Sequence, residues 1–204
     1  MSAQREKRPS YIRQAWLVIL LGLLYGAALA GVQTGLGPII EENKRRETFS
    51  VIPELVPGTD REHITALEVE TAKGKARRVY RAGGPDDQLR GWVIAAGGLG
   101  FADRIDVLIG LDPHVEQITG MYVLDQKETP GLGNLIVEDD FRDQFIDKSA
   151  LKPLEVVKTE AAPGSNEIRT VTGATISSQS VADIINKAID ELRQPILEQA
   201  TSKP

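Results

Sequence analysis

The sequence predicts an α+β protein in which a single N-terminal transmembrane helix precedes a mainly antiparallel sheet flanked by helices. Three observations support this class. The stretch from Gln14 to Ile40 contains no charged residue. Short segments of alternating apolar and polar residues fill the middle of the chain, and an amphipathic helical pattern runs from Val181 to Leu192. Strands that come first and helices at the edges are typical of α+β folds rather than of a doubly wound sheet.

The N-terminal segment has the features of a membrane anchor. Four basic residues (Arg5, Lys7, Arg8 and Arg13) precede an apolar run longer than the roughly 20 residues that a membrane-crossing helix needs. A cleaved signal peptide is the competing interpretation, because Ala28-Leu29-Ala30 resembles a processing site. The apolar run continues past these alanines to Ile40, which favours an uncleaved signal anchor. The balance of Lys and Arg places the N-terminus in the cytoplasm and the following domain on the extracytoplasmic (periplasmic) side of the inner membrane.

The chain divides into five predicted parts. They are a basic cytoplasmic tail (1–13), a transmembrane signal anchor (14–40), a helical stem and linker (41–60), an extracytoplasmic domain (61–195) and a C-terminal tail (196–204). Pro53 and Pro57-Gly58 are predicted to break the stem helix, and Pro195 is predicted to end the last helix.

Alternation and turn residues define the elements of the domain. Aromatic residues Trp92, Phe101 and Tyr122 are predicted to pack in the core. Gly97 to Gly100 is predicted to form a flexible corner, and Asp140 to Ile146 a short helix. The predicted strands are Ala66 to Glu70, Lys75 to Ala82, Leu89 to Ala96, Arg104 to Leu111, Val115 to Leu124, Leu154 to Val157 and Glu167 to Val171.

Composition excludes several classes of function. The chain of 204 residues has a net charge of −5 and no basic stretch interleaved with aromatic residues, so nucleic acid is not a predicted partner. It has no cysteine, which removes disulfides, cysteine-ligated metals and a cysteine nucleophile. His63 and His114 lie far apart without ligand spacing, so no metal site is predicted. No nucleophile–base arrangement is visible, and no catalytic residue is predicted.

The segment VTGATISSQSV contains Thr172-Gly173-Ala174-Thr175 between a short strand and the final helix. Free N–H groups and partial positive charge at a helix N-terminus favour an anion, so a phosphorylated ligand is the functional interpretation. Taken alone, these common residues are better explained as a turn at Gly173 and a helix cap at Thr175 or Ser177.

A second motif, KETPGLG, begins at Lys127. Gly131 and Gly133 allow the backbone to approach a ligand, and Pro130 fixes the preceding bend. Glu128 and Thr129 add a carboxylate and a hydroxyl. Taken alone, this motif is explained about equally well as an ordinary Pro-Gly turn.

The two motifs together resemble the FMN-binding domain family. The resemblance extends over GFADRIDVLIGLDPHVEQITGMYVLDQKETPGLGNLI and the final helix. It implies FMN attached covalently, through its phosphate, to Thr175 by a separate flavin transferase. The transferase's target often begins with an aspartate where this chain has Arg169. The implied contacts are Thr172, Gly173, Ala174 and Ser177 at the phosphate, with Glu128, Thr129, Gly131, Leu132 and Gly133 along the flavin.

With the N-terminal span added, the chain resembles the G-subunit family of Rnf-type ion-translocating oxidoreductases. The resemblance implies a redox subunit of a translocase, working with other membrane subunits to couple ferredoxin/NAD redox chemistry to movement of Na⁺ or H⁺. The related C-subunit family of Na⁺-translocating NADH:quinone oxidoreductases is the first alternative. A free-standing, membrane-anchored flavoprotein is the second alternative. A non-redox anchored module, in which both motifs are only turns, is the third.

Overall fold

A computed structural model describes residues 11–71 and 74–202 of the chain. It contains two compact units, residues 1–45 and 46–204, and each is described by itself. The predicted basic tail (1–13) lies mostly outside the described residues. A first helix, α1 (Tyr11–Leu55), begins in the first unit and ends in the second.

The first unit consists of the apolar part of α1. Its large apolar side chains, including Trp16, Leu20 and Leu24, are exposed. Within the described part of the chain, α1 alone has the length and apolar composition to cross a membrane, properties that a signal sequence near the N-terminus would also have. Thr34 donates its hydroxyl to the carbonyl of Ala30 at 2.8 Å, which satisfies a polar group that lipid could not.

The second unit is built on a five-stranded sheet. Its strands follow one another in chain order and every neighbouring pair is antiparallel. The predicted fold class is therefore confirmed. The strands are β1 (Ile64–Glu70), β2 (Ala76–Gly83), β3 (Leu89–Leu99), β4 (Arg104–Leu111) and β5 (Ile118–Asp125).

Helices and a small second sheet follow β5. A 3₁₀ segment (Gly133–Val137) leads into the short helix α2 (Asp139–Arg142) and a further 3₁₀ turn (Asp143–Phe145). Strands β6 (Glu155–Val157) and β7 (Glu167–Arg169) pair in parallel. The chain then enters the long helix α3 (Thr175–Ser202).

The two faces of the large sheet are covered by different elements. On one face the last turns of α1 (Val51, Ile52 and Leu55) pack against Tyr80, Val93 and Leu108. On the other face α3 and the α2 region pack against alternate residues of the same strands, so both faces are apolar. The residues of this second core include Ile94, Ile105, Val107, Ile109, Phe141, Phe145, Ile185 and Leu192.

The predicted flexible corner at Gly97–Gly100 is wrong, because β3 continues to Leu99. A Cβ placed on Gly98 would lie 2.6 Å from Cγ1 of Ile184 in α3. The absence of a side chain there lets the helix pack directly on the strand. Close packing of neighbouring side chains against the strand, rather than flexibility, explains the glycines.

Three further expectations are corrected. Helix α3 does not end at Pro195 but continues to Ser202. Ile196 is fully buried in the core, so the packed domain extends past residue 195 into the predicted tail. This burial offsets the loss of the backbone hydrogen bond that Pro195 cannot make.

Pro53 lies inside α1 and does not break it. Phe101 is 64% exposed and is not a core residue, whereas Trp92 is buried in one core and Tyr122 is partly buried against the other.

Tyr122 links α1 to β5. Its hydroxyl donates to Glu47 at 2.8 Å, and the guanidinium of Arg142 lies 5.1 Å from its ring centroid. Burial raises the pKa of Tyr122 above its usual value of 10.0, and the hydrogen bond and negative charge of Glu47 raise this pKa further. The neutral phenol is therefore the form that the fold stabilises.

The raised pKa predicts a loss of stability at alkaline pH. Below the unfolded pKa of about 10 the contribution of Tyr122 is fully present, and it is lost as pH rises through the higher folded pKa. We expect Tyr122→Phe to cost about 1 kcal/mol at neutral pH, through the lost hydrogen bond, but to make unfolding less sensitive to pH above 10. Urea unfolding from pH 7 to 11 measures both effects, and equal alkaline slopes in the two proteins would contradict the assignment.

Candidate functional site

Three segments of the second unit meet at the N-terminal end of α3. They are the turn between β3 and β4, the loop that follows β5, and the first turn of α3 itself. Their common contact is the carboxylate of Glu128, which is 4% exposed. Oε2 accepts a hydrogen bond from the hydroxyl of Ser177 at 2.6 Å, and Oε1 accepts one from the backbone N–H of Ala102 at 3.1 Å.

Two glycines make room for this carboxylate. A Cβ on Gly133 would lie 2.7 Å from Oε2 of Glu128 and 2.7 Å from the hydroxyl oxygen of Ser177. A Cβ on Gly100 would collide with Oε1. Within the described residues, no basic side chain lies within ion-pairing distance of Glu128, so its burial depends on the two hydrogen bonds.

The turn that leads into α3 is held by its own backbone. Gly173 has φ of +83°, and the N–H of Ala174 donates to the carbonyl of Val171 at 2.9 Å. The N–H of Val171 in turn donates to the hydroxyl of Ser178 at 3.2 Å. Thr175 is the first helical residue, so the N–H groups of the first turn lack carbonyl partners within the helix and give this end a partial positive charge.

The four hydroxyls between positions 172 and 178 differ in accessibility. Ser177 and Ser178 are buried and are bonded to Glu128 and to Val171. Thr172 and Thr175 are exposed. The hydroxyl of Thr175 therefore combines exposure with a place in the first turn of a long helix, where an attached phosphate would meet free N–H groups.

The loop after β5 lies beside this turn. The carbonyl of Thr129 accepts from the N–H groups of Leu132 and Asn134 at 3.1 and 3.3 Å. Gly131 has φ of +74° and faces open space, so a glycine is favoured there by the turn conformation and not by close packing. A Cβ on Gly173 would lie 2.7 Å from Cδ2 of Leu132, which shows that the two motifs are in contact.

The structure thus brings all ten predicted site residues together but separates them into two groups. Thr129, Gly131, Leu132, Thr172, Gly173 and Thr175 are exposed, whereas Glu128, Gly133, Ala174 and Ser177 are buried. The direct phosphate contact expected for Ser177 does not fit this arrangement, because its single proton is already donated to Glu128.

Sequence reasoning missed the contribution of Gly100 and Ala102. The glycine run before Phe101 was the available signal, but flexibility was inferred from it instead of close packing. A groove of about 720 Å³, lined in part by Phe141, Arg169 and Thr172, was also missed. Arg169 pairs there with Glu160, at the position where an aspartate was expected. Among the described residues, no group of three His, Cys, Asp or Glu side chains is arranged to hold a metal ion.

Comparison with known proteins gives the family. A model of the FMN-binding domain matches residues 100–190, which contain both motifs. The G subunit of the Na⁺-translocating ferredoxin:NAD⁺ oxidoreductase complex of Acetobacterium woodii is 35% identical over 162 residues, which cover 75% of this chain and 77% of that protein. The chain belongs to this G-subunit family. The resemblance predicted from the two motifs and the N-terminal span is therefore confirmed.

A second relative agrees with this family assignment, and a solved structure agrees with the fold. The G subunit of the ion-translocating oxidoreductase complex of Methanosarcina acetivorans is 26% identical over 190 residues, covering 93% of this chain and 96% of that protein. The crystal structure of NqrC from Shewanella oneidensis shares the fold, with a TM-score of 0.58 and 19% identity over 72% of this chain and 73% of that one.

The contact between Gly173 and Leu132 can be tested by a pair of alanine substitutions. Gly131→Ala and Gly173→Ala both place a side chain at positive φ, at a cost of about 1–2 kcal/mol. Only Gly173→Ala also meets Leu132, whose half-exposed side chain can turn away into a poorer rotamer. We therefore expect it to lower the free energy of unfolding by about 0.5–1.5 kcal/mol more. Adding Leu132→Ala should recover part of that difference. If thermal or urea unfolding shows no recovery, the two motifs do not touch in this way.

Proposed function

We propose that this chain carries FMN covalently on Thr175 and serves as an electron-transfer subunit of an ion-translocating membrane complex. The observation that carries the proposal is the exposed hydroxyl of Thr175 in the first turn of α3, in a chain of the G-subunit family. Thr172 offers a second exposed hydroxyl, but it precedes the helix and lacks the first-turn N–H groups.

The residues around Thr175 suit a phosphate diester. The helix N-terminus supplies N–H donors and partial positive charge. Gly173 and Ala174 add little bulk, so backbone and phosphate can approach closely. Leu132 and Ile176, which are 47% and 55% exposed, offer apolar surface for a flavin ring beside the attachment point.

Attachment requires an activated phosphate, because simple condensation of an alcohol with a phosphate would have to expel water. A phosphoanhydride of riboflavin phosphate, such as a flavin dinucleotide, meets this requirement. The oxygen of Thr175 forms the new P–O bond, the anhydride bond breaks, and the second phosphate leaves with its nucleoside. The hydroxyl proton passes to a base of the flavin transferase that we propose as the maturation partner.

Electron transfer itself belongs to the cofactor, since a bound flavin accepts and donates electrons. The chain's residues hold its phosphate, orient its ring and limit its range of motion. We propose that electrons pass between neighbouring subunits of the complex, with ferredoxin and NAD as the distant substrates and Na⁺ or H⁺ as the translocated ion. The Acetobacterium woodii relative, named for such a reaction, supports this proposal. The fold shared with NqrC keeps a quinone-reductase complex as the second candidate.

The attachment site is tested by replacing each exposed threonine in turn. We expect Thr175→Val, coexpressed with the transferase, to lose covalent flavin entirely, because the other hydroxyls of the first turn, those of Ser177 and Ser178, are buried. Thr172→Val, the matched control, should keep it. Flavin fluorescence of the denatured protein in a gel, followed by mass spectrometry of the modified peptide, measures the result. Retention of flavin by Thr175→Val would refute the site.

We also propose that the N-terminus lies in the cytoplasm and the FMN-binding domain on the extracytoplasmic side. Residues 14–40, the apolar part of α1, would be the uncleaved anchor. The basic residues before the span support this orientation. The apolar, exposed side chains of α1 support its placement in lipid.

The absence of cysteine makes the orientation directly measurable. Leu151 is 54% exposed, so Leu151→Cys introduces a single accessible thiol in the domain. A membrane-impermeant maleimide should label this variant in spheroplasts, whereas Ser2→Cys should be labelled only after lysis. The opposite pattern would reverse the topology, and loss of the Ser2→Cys thiol from the mature protein would show that the segment is cleaved.

A further inference from the structure

We infer that Glu128 is a positioning residue for the attachment site: its buried carboxylate, acting through Ser177, fixes the first turn of α3 so that Thr175 is presented for flavin attachment. This inference rests on the proposed function at Thr175. It assigns to the acidic residue of the KETPGLG motif a role away from the flavin, since the carboxylate faces the protein interior.

The carboxylate of Glu128 is buried. Removing a carboxylate from water is costly unless hydrogen bonds compensate. Glu128 accepts only two from the described part of the chain, from Ser177 and from the N–H of Ala102. A group held at such cost is poorly explained by stability alone. An apolar side chain in its place would leave Ser177 and Ala102 without their partner, which indicates that the contact defines a geometry.

Glu128 joins two segments, the chain that follows β3 and the start of α3. Gly98 lies against Ile184, and Ala102 is joined through Glu128 to Ser177. From Ile184 back to Ser177 the helix axis advances by about 10 Å, at 1.5 Å per residue. The segment from the end of β3 to Ala102 therefore runs along α3 toward its N-terminus, and the Glu128 contact at Ser177 lies two residues from Thr175.

The charge of Glu128 also interacts with the dipole of α3. Ser177 is the third residue of α3, so the negative charge of Glu128 lies near the positive end of the helix dipole and stabilises it. The carboxylate occupies the buried side of that end. Thr175 and Ile176 remain on the exposed side, where a second anion can bind without displacing the first.

The inference is tested by comparing attachment rates with a control on the same helix. Ser177→Ala and Glu128→Ala should slow flavin attachment to the full-length protein by about tenfold or more, because a small displacement of a reacting group can cost up to about 10²-fold. Glu128→Gln should slow attachment clearly less than Glu128→Ala, since its amide can accept from Ala102 and donate to Ser177 although it lacks the charge. Equal slowing in these two variants would contradict the role of the hydrogen bonds.

Asn186→Ala is the matched control. Asn186 lies in α3 and exchanges two hydrogen bonds with the backbone of Leu154, at 2.8 and 2.9 Å, away from Thr175. Its loss should weaken the fold without altering the attachment rate. The rate is measured at a temperature well below the unfolding midpoints of the wild type and of the variant. Equal slowing in Asn186→Ala would show a general stability effect, and wild-type rates in Glu128→Ala would also overturn the inference.

A second measurement keeps the inference independent of the attachment site. In unmodified protein, exchange of the hydrogen-bonded amides of Leu132, Asn134, Ala174 and Ser178 should accelerate in Glu128→Ala and Ser177→Ala, but not in Asn186→Ala. If wild-type protein acquires no flavin on Thr175, the proposed function fails while this exchange pattern still decides the role of Glu128. Unchanged exchange in all variants would refute that role.

Discussion

The hydrogen bond from Ser177 to Glu128 is the contact on which the arrangement of the site depends. It joins a loop and a helix start that lie 49 positions apart in sequence, and the same carboxylate extends the link to the β3–β4 turn. Because the group is buried, its hydrogen bonds are not exchanged for water, and the geometry that they define is well determined. The exposed residues of both motifs lie beside this buried group.

The sheet beneath this contact is covered on both faces, and the two covering helices have different tasks. The end of α1 closes one face. Helix α3 closes the other face and carries the candidate attachment residue at its start. The core and the site therefore share one element, so a change in how α3 packs on β3 would also move Thr175.

Sequence reasoning reached most of the fold because the signals were local. Alternation along Arg104–Leu111 and the apolar periodicity of α3 are properties of each segment, and they predicted the elements that form. The errors arose where contacts with residues that are distant in sequence determine the local structure. The glycine at position 98 is explained by the close contact of Ile184 with the strand. Pro195 is tolerated because the neighbouring Ile196 is buried in the core.

The candidate site shows the same division. The two motifs identified the family and placed Thr175, Gly173 and Leu132 at one location, but they gave no sign that Glu128 and Ser177 contact each other rather than a ligand. That information lies in burial and in the space left by Gly100 and Gly133. In the sequence, Gly100 is read as part of a flexible corner and Gly133 as a glycine that lets the backbone approach a ligand.

The crowding around Glu128 also supplies a filter for recognising other proteins built in this way. A threonine-containing motif before a helix is common, and so is a Pro-Gly turn. A protein that has both, but bears a side chain at the position of Gly100 or Gly133, has no space for the carboxylate and must organise its helix start by other means. Aligning those two positions would sort genuine counterparts from chance matches before any of them is purified.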